Sequence, residues 1–216
     1  MANRTSVAKA EIVREYGPFT DINNVAGVTF DGERVWAAVG THIQSFDPIT
    51  GEMGSSLPVK ADAGTAFDGK HLYQLTGEVI QKVDAKTGKV LGTIPAPGKG
   101  KDSGMAWAEG SLWVGQYRAR QIVCIDPRDG KVLRTIESDR FVTGVSWVDG
   151  ELWHGTWEEE QSELRRLQPE TGEVLERLEM PKDTIISGLE SDGKDAFFCG
   201  GGTSGKVRRV KRPKRR

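Results

Sequence analysis

Residues 144–153 read "GVSWVDGELW", in which a glycine begins a short segment, a glycine-containing turn follows, and an aromatic residue ends the stretch. The same arrangement occurs at "GVTFDGERVW" (27–36), "GTAFDGKHLY" (64–73), "GMAWAEGSLW" (104–113) and "GLESDGKDAF" (188–197). The first glycines of successive stretches are 37, 40, 40 and 44 residues apart. A nearly constant period of this length indicates a repeat protein.

Each repeat contains a second alternating segment downstream. These segments are "IQSFDP" (43–48), "IQKVDA" (80–85), "IVCIDP" (122–127), "LRRLQP" (164–169) and "VRRVKR" (207–212). Alternating apolar residues, with glycine or aspartate at the corners, predict short strands joined by tight turns. Four strands in a unit of about 40 residues are typical of a propeller blade. The predicted fold class is therefore all-β, a five-bladed β-propeller with four strands per blade.

The fifth repeat ends without an outer strand of its own. The segment "AEIVREY" (10–16) aligns with "GEVLERL" (172–178), the outer strand of the fourth repeat, with apolar residues at matching positions. We therefore expect an N-terminal strand to complete the last blade, because this closes the ring and removes exposed edges.

The repeat divides the whole chain into one predicted propeller domain, residues 1–216. The expected blades lie near residues 22–59, 60–97, 98–139, 140–181 and 182–211, with residues 9–16 added to the last blade.

Charge and composition restrict the partners. The net charge is -1, but residues 206–216 contain eight basic and no acidic residues, which leaves 22 basic against 31 acidic residues, or -9, elsewhere. An acidic body without a nucleic-acid-binding motif argues against a nucleic acid partner, and we expect the basic tail to aid solubility or packing of the last strand. Met1 to Tyr16 contain no apolar stretch, so we expect a cytoplasmic protein with no membrane partner.

The segment "GELWHGTW" (150–157) carries the first candidate site residues. Trp153 is the repeat aromatic and is expected to pack between blades. Trp157 lies in the loop that leaves the second strand, at the position of Tyr117 in the preceding repeat. In a propeller these loops gather around the mouth of the central channel, so we expect Tyr117, Trp157 and His154 to border a pocket there.

Glu190 departs from the repeat at a channel-lining position. The matching residues of the other repeats are small: Thr29, Ala66, Ala106 and Ser146. A poorly solvated carboxylate has a raised pKa, which suits a general acid or base at the floor of the pocket. The alternative is a carboxylate that makes structural hydrogen bonds or faces water. The predicted catalytic residues are Glu190 and His154, and the predicted ligand-binding residues are Gln116, Tyr117, Trp157 and Asn24.

No ligand spacing in the sequence selects a metal or a cofactor, so we predict neither. The alternative is a hard cation held by side-chain oxygens, as in lyase-type or lactonase-type propellers. Candidate ligands for such a cation are Asn23, Asn24, Asp62, Asp102 and Glu190.

Three stretches resemble the plant and bacterial type of glutaminyl-peptide cyclotransferase. They are "LYQLTG" (72–77), "GELWHGTW" (150–157) and the corner "DPITG" (47–51). The resemblance extends from about residue 23 to about residue 211 and implies a five-bladed propeller. The activity that it implies is attack of an N-terminal glutamine amine on the side-chain amide, with loss of ammonia.

The chain departs from this family at the residues expected to carry the reaction. The expected glutamate, asparagine, lysine and pocket tryptophan fall at Ala37, Thr143, Gly202 and Gly77, respectively. We therefore predict an enzyme with a small-molecule or peptide substrate at the channel mouth that is not itself a glutaminyl cyclase. Two alternatives stay open: a non-catalytic propeller that binds a ligand or protein partner, and a metal-dependent lyase-type or lactonase-type propeller. Oligomeric state stays open as well.

Overall fold

The computed structural model describes residues 5–214, so the ends of the predicted domain, residues 1–4 and 215–216, lie outside the described residues. This range contains 21 β-strands and no helix. Accordingly, no helix capable of crossing a membrane is found between residues 5 and 214.

The strands form five sheets arranged as the blades of a propeller. Two strands precede the blades: β1 (Ser6–Lys9) and β2 (Ile12–Tyr16). The first blade contains β3 (Gly27–Phe30), β4 (Val35–Ala38), β5 (Ile43–Phe46) and β6 (Met53–Leu57). The second contains β7 (Thr65–Phe67), β8 (His71–Thr76), β9 (Val79–Asp84) and β10 (Val90–Pro95).

The remaining blades repeat this order. The third blade contains β11 (Asp102–Ala108), β12 (Ser111–Gln116), β13 (Gln121–Ile125) and β14 (Val132–Glu137). The fourth contains β15 (Val142–Val148), β16 (Glu151–Glu158), β17 (Gln161–Leu167) and β18 (Val174–Glu179). The fifth contains β19 (Gly188–Ser191), β20 (Ala196–Gly200) and β21 (Val207–Lys211).

The N-terminal strand β2 completes the fifth blade. It pairs antiparallel with β21, with Ile12 opposite Val210 and Tyr16 opposite Val207. This pairing confirms the predicted closure of the ring. The fourth blade departs from the repeat, because β1 pairs parallel with the outer edge of β18 and gives this sheet a fifth strand.

The inner strands meet at a ring of five glycines, which we call the glycine collar: Gly27, Gly64, Gly104, Gly144 and Gly188. A Cβ on any of them would lie closer than 3.0 Å to backbone atoms of the next blade. Distances this short leave no space for a side chain, so glycine is required where successive blades touch. These are the glycines that begin the repeats in the sequence.

Five hydrophobic clusters fill the spaces between neighbouring blades. Trp153 is buried in the cluster between the fourth and fifth blades, with its ring centroid 4.9 Å from that of Phe197. In the fifth blade the pairing of the first two strands differs by one residue from that in the other blades. Trp153 pairs with Ser146, whereas the residue opposite Glu190 is Phe198, not Phe197 as the alignment of the repeats suggests. Seven residues lie between Glu190 and its partner Phe198, against six between Ser146 and Trp153, which explains the shift.

The collar generates a stability prediction. Gly144→Ala should destabilise the fold by about 3 kcal/mol, because the new methyl group would meet backbone of the fifth blade that cannot move away. The matched control is Gly92→Ala in β10, where nothing lies within 4 Å of the added Cβ, and its effect should stay within about 0.5 kcal/mol. Urea unfolding of both variants measures the difference, and equal stabilities would contradict a tight collar.

The closing strand generates a second prediction. Deletion of residues 1–16 removes β2 and exposes the edge of β21, whereas deletion of residues 1–9 removes only β1. We expect the longer deletion to lower the melting temperature well beyond the shorter one, since each kcal/mol corresponds to roughly 2–4 °C at this chain length. A deletion of residues 1–16 that melts with the full-length chain would show that β2 does not hold the ring closed.

Candidate functional site

A cavity of about 370 Å³ lies at the end of the channel where the inner strands begin. We call it the mouth cavity. Six of its lining residues concern the site: Asn24, Asp62, Asp102, Tyr117, Thr143 and Trp157. Three of these, Asn24, Tyr117 and Trp157, are predicted ligand-binding residues, and the structure brings them to one cavity. The lining comes from the beginnings of the inner strands, the segments that precede them and the ends of the second strands. Trp157, expected in a loop, lies instead within β16, because this strand continues to Glu158.

The aromatic wall of the cavity is held by contacts between the third and fourth blades. The Tyr117 hydroxyl lies 3.4 Å from the backbone carbonyl oxygen of Trp157, and the Tyr117 ring stacks on Phe141 at 4.7 Å between centroids. The Arg120 guanidinium lies over the Phe141 ring, 4.5 Å from its centroid, and forms an ion pair with Glu158. Tyr117 and Trp157 are both half-buried, so each keeps surface available to a ligand.

Asp102 is the cavity carboxylate with the most defined orientation. Both of its oxygens accept from the Gly98 amide at 2.9 Å, and Oδ1 also accepts from Gln116 Nε2 at 3.1 Å. Gln116 in turn accepts a hydrogen bond from Gln121. Burial raises the pKa of Asp102 above its ordinary value, although the hydrogen bonds from Gln116 and Gly98 oppose the shift. Gln116, predicted as a pocket wall, lies behind Asp102 and orients it.

His154 does not reach the mouth cavity. It lies in β16 between Val145 and Arg165 of the neighbouring strands and is fully buried. Its Nδ1 is 3.1 Å from the Gly155 carbonyl oxygen, to which it can donate. Burial, reinforced by Arg165, lowers the pKa of His154 to about 4, so the imidazole is neutral at neutral pH.

Glu190 lies on the opposite side of the glycine collar from the mouth cavity. The cavity is lined by residues that directly precede collar glycines, such as Ser187, whereas Glu190 comes two residues after Gly188. The structure therefore does not place the Glu190 carboxylate at the floor of the cavity with Tyr117 and Trp157.

The Glu190 carboxylate joins three blades. Oε2 accepts a hydrogen bond from Thr29 of the first blade at 2.9 Å. Oε1 accepts from Ser146 of the fourth blade at 3.0 Å and from the Ser191 amide at 2.8 Å. Burial raises the pKa of Glu190 to about 7 even though these hydrogen bonds favour the charged form. Thr29 and Ser146, which occupy the position equivalent to Glu190 in their own repeats, are thus its side-chain hydrogen-bond partners.

The remaining charged groups concern the candidate metal ligands and the basic tail. Among residues 5–214, no group of three or more His, Cys, Asp or Glu side chains is arranged to hold a metal ion. The basic C-terminal segment packs on the body: Arg212 is buried and forms ion pairs with Asp149 at 2.7 Å and Glu151 at 2.9 Å. The last two arginines lie outside the described residues.

A larger cavity of about 730 Å³ lies on the outside of the fourth blade, between β1 and the C-terminal segment. Its arginine, Arg166, is paired with Glu176 at 3.3 Å and with Glu151 at 3.5 Å. Because these charges compensate one another and the channel lies elsewhere, the mouth cavity is the better candidate site.

No protein-family model matches the chain, and a search of curated proteins gave no match. Among solved structures, glutaminyl cyclase from Myxococcus xanthus matches with a TM-score of 0.80, at 15% identity over 96% of this chain and 98% of that one. The two chains share one propeller fold. Hydrazine synthase from Kuenenia stuttgartiensis matches with a TM-score of 0.52, at 18% identity over 83% of this chain and 56% of that chain. At these identities the similarity shows the fold alone.

Glu190 generates a pH-dependence prediction. Its pKa in the folded state is about 7 against an ordinary 4.5, so the folded chain binds the proton more tightly than the unfolded chain. Stability from this group is complete below pH 4.5 and is lost as pH rises to about 7, by up to about 3 kcal/mol. Relative to the wild type, Glu190→Gln should therefore gain stability between pH 4.5 and pH 8.

Urea unfolding at several pH values tests this expectation. The matched control is Glu137→Gln, a change of an exposed glutamate, which should follow the wild-type profile. A difference between Glu190→Gln and wild type that does not change with pH would contradict the raised pKa.

Proposed function

We propose that this chain binds a small molecule in the mouth cavity. The observation that carries the proposal is the combination of two half-buried aromatic side chains, Tyr117 and Trp157, with the oriented carboxylate of Asp102 in one concave site. Small-molecule sites are typically apolar or aromatic cavities with a few fixed polar groups, and 370 Å³ lies at the lower end of their usual volume.

A second candidate function is an enzyme that uses Asp102 as a general base at the same site. The observation that favours it is the raised pKa of Asp102, which results from burial and brings a carboxylate closer to the range useful for proton transfer. Under this candidate, Gln116 is a positioning residue. The predicted roles of Glu190 and His154 as acid and base stay predictions, and neither lines this cavity.

Glutaminyl cyclase activity is not proposed. Ala37 stands where the resemblance implies a catalytic glutamate, and it is buried in the hydrophobic cluster between the first and fifth blades. Thr143 and Gly202 stand where the asparagine and lysine are expected. Proton transfer requires a titratable group within hydrogen-bond reach, which these residues do not supply.

The absence of this activity is testable. Incubation with a peptide that begins with glutamine should release ammonia no faster than the spontaneous reaction. A known glutaminyl cyclase serves as the positive control in the same assay. Turnover at about 1 per second or more, an ordinary enzymatic rate, would refute the expectation.

Binding at the mouth is tested with Trp157. A fragment library screened by thermal shift should yield ligands that stabilise the wild type, because a ligand that binds only the folded state raises its stability. Trp157→Ala should abolish these shifts while leaving the free protein folded, with a loss of stability of about 1–3 kcal/mol because the side chain is half-buried. Trp157→Phe, which keeps an aromatic wall, is the matched control and should retain binding. Ligands that bind all three proteins equally would place the site elsewhere.

A further inference from the structure

The lining of the mouth cavity is polarised in charge. Asp62 of the second blade and Asp102 of the third blade supply carboxylates, whereas Ile185 and Ile186 before the fifth blade supply an aliphatic wall. Of the residues between 5 and 214, no lysine, arginine or histidine lines the cavity. The second and third blades therefore give the cavity an acidic wall, and the segment before the fifth blade gives it an apolar wall.

Within the described part of the chain, the carboxylate of Asp102 has no cationic side chain paired with it. Its hydrogen-bond donors, the Gly98 amide and the Gln116 side chain, are neutral, and no ion pair to it is found within residues 5–214. Asp62, in contrast, pairs with Lys60 at 3.0 Å, although Lys60 is 67% exposed and such a surface pair is weak. A partly buried carboxylate without a counter-ion favours a bound cation, because the cation offsets its desolvation.

The aromatic wall suits the same kind of ligand. Tyr117 and Trp157 are half-buried at the cavity, and the faces of such rings attract cations. Their apolar surface also contacts hydrocarbon well, as do the side chains of Ile185 and Ile186.

We propose that the mouth cavity binds a small organic cation, a protonated amine attached to a compact apolar body. The ammonium lies at Asp102, and the apolar body lies against Trp157 and Ile185. This inference rests on the proposed function and names the ligand class of the same site.

The test uses three probes that share one apolar chain and differ in charge: hexylamine, which is protonated at neutral pH, hexanol and hexanoate. Calorimetric titration of the wild-type chain should show saturable binding of hexylamine, about tenfold or more weaker binding of hexanol, and no binding of hexanoate. Rising salt concentration should weaken the binding of hexylamine, since the carboxylate is partly exposed.

Two substitutions separate the carboxylate from the general charge of the protein. Asp102→Asn keeps an acceptor for the Gly98 amide and should reduce hexylamine affinity about tenfold or more. Asp129→Asn removes an exposed carboxylate from a turn of the same blade and leaves an acceptor for the Lys131 amide, so it should bind like the wild type. The comparison of the three probes on the wild type does not depend on either variant being stable.

The outcomes distinguish this inference from the function on which it rests. Equal affinity for hexylamine and hexanol, or unchanged hexylamine binding by Asp102→Asn, overturns the cation proposal. If other ligands still bind and Trp157→Ala abolishes their binding, the mouth cavity remains a ligand site of different chemistry. If no ligand shows dependence on Trp157, both proposals fail.

Discussion

Direct contact of backbone with backbone at the glycine collar is the constraint on which this propeller depends. Because Gly27, Gly64, Gly104, Gly144 and Gly188 leave no space for a Cβ, the inner strands approach as closely as their main chains allow. The collar therefore separates two groups of side chains, those that precede the glycines and form the mouth cavity, and those that follow and surround Glu190.

The second constraint is that the ring must close within the fifth blade, where β2 from the start of the chain and β21 from its end are joined by hydrogen bonds alone. Several interactions collect at this point. The strand β2 completes the fifth blade, and Val25 of the first blade forms paired backbone hydrogen bonds with Gly202. Glu190 reaches from the fifth blade to Thr29 and Ser146 on both sides. The desolvation of this carboxylate opposes folding at neutral pH, so a glutamate here trades some stability for hydrogen bonds that join three blades.

The sequence was sufficient to predict the features that the repeat determines. Positions relative to the collar glycines have fixed places in a blade, so the five blades, the closing strand and the location of Tyr117 and Trp157 followed. Features outside the repeat could not be found in this way. The strand β1 has no counterpart in other blades. His154 is only three residues before Trp157, yet it lies in the fully buried part of β16. The length of one turn moves the aromatic of the fifth blade to Phe198.

The sequence does not show on which side of the glycine collar the Glu190 side chain lies. This depends on the distance between the inner strands, which the residue types alone do not determine. Asp102 illustrates a signal that was present but ambiguous. Asp62 and Asp102 each stand two residues before a collar glycine, which places both at the mouth. Their positions in the sequence do not show whether the carboxylates coordinate a metal ion or bind a small organic molecule. The hydrogen bonds that orient Asp102 through Gln116 depend on the bulged pairing of β11 with β12 and are visible only in the structure.

The same constraints explain how a chain can keep this fold while its mouth diverges. The collar requires glycine at five positions, and the clusters between blades require apolar volume rather than particular residues. Neither requirement extends to the loops that enter the inner strands or leave the second strands. A chain only 15% identical to a glutaminyl cyclase can therefore align with it at a TM-score of 0.80. The chemistry of this protein must consequently be derived from its own mouth residues, among which Asp102 is the oriented charge.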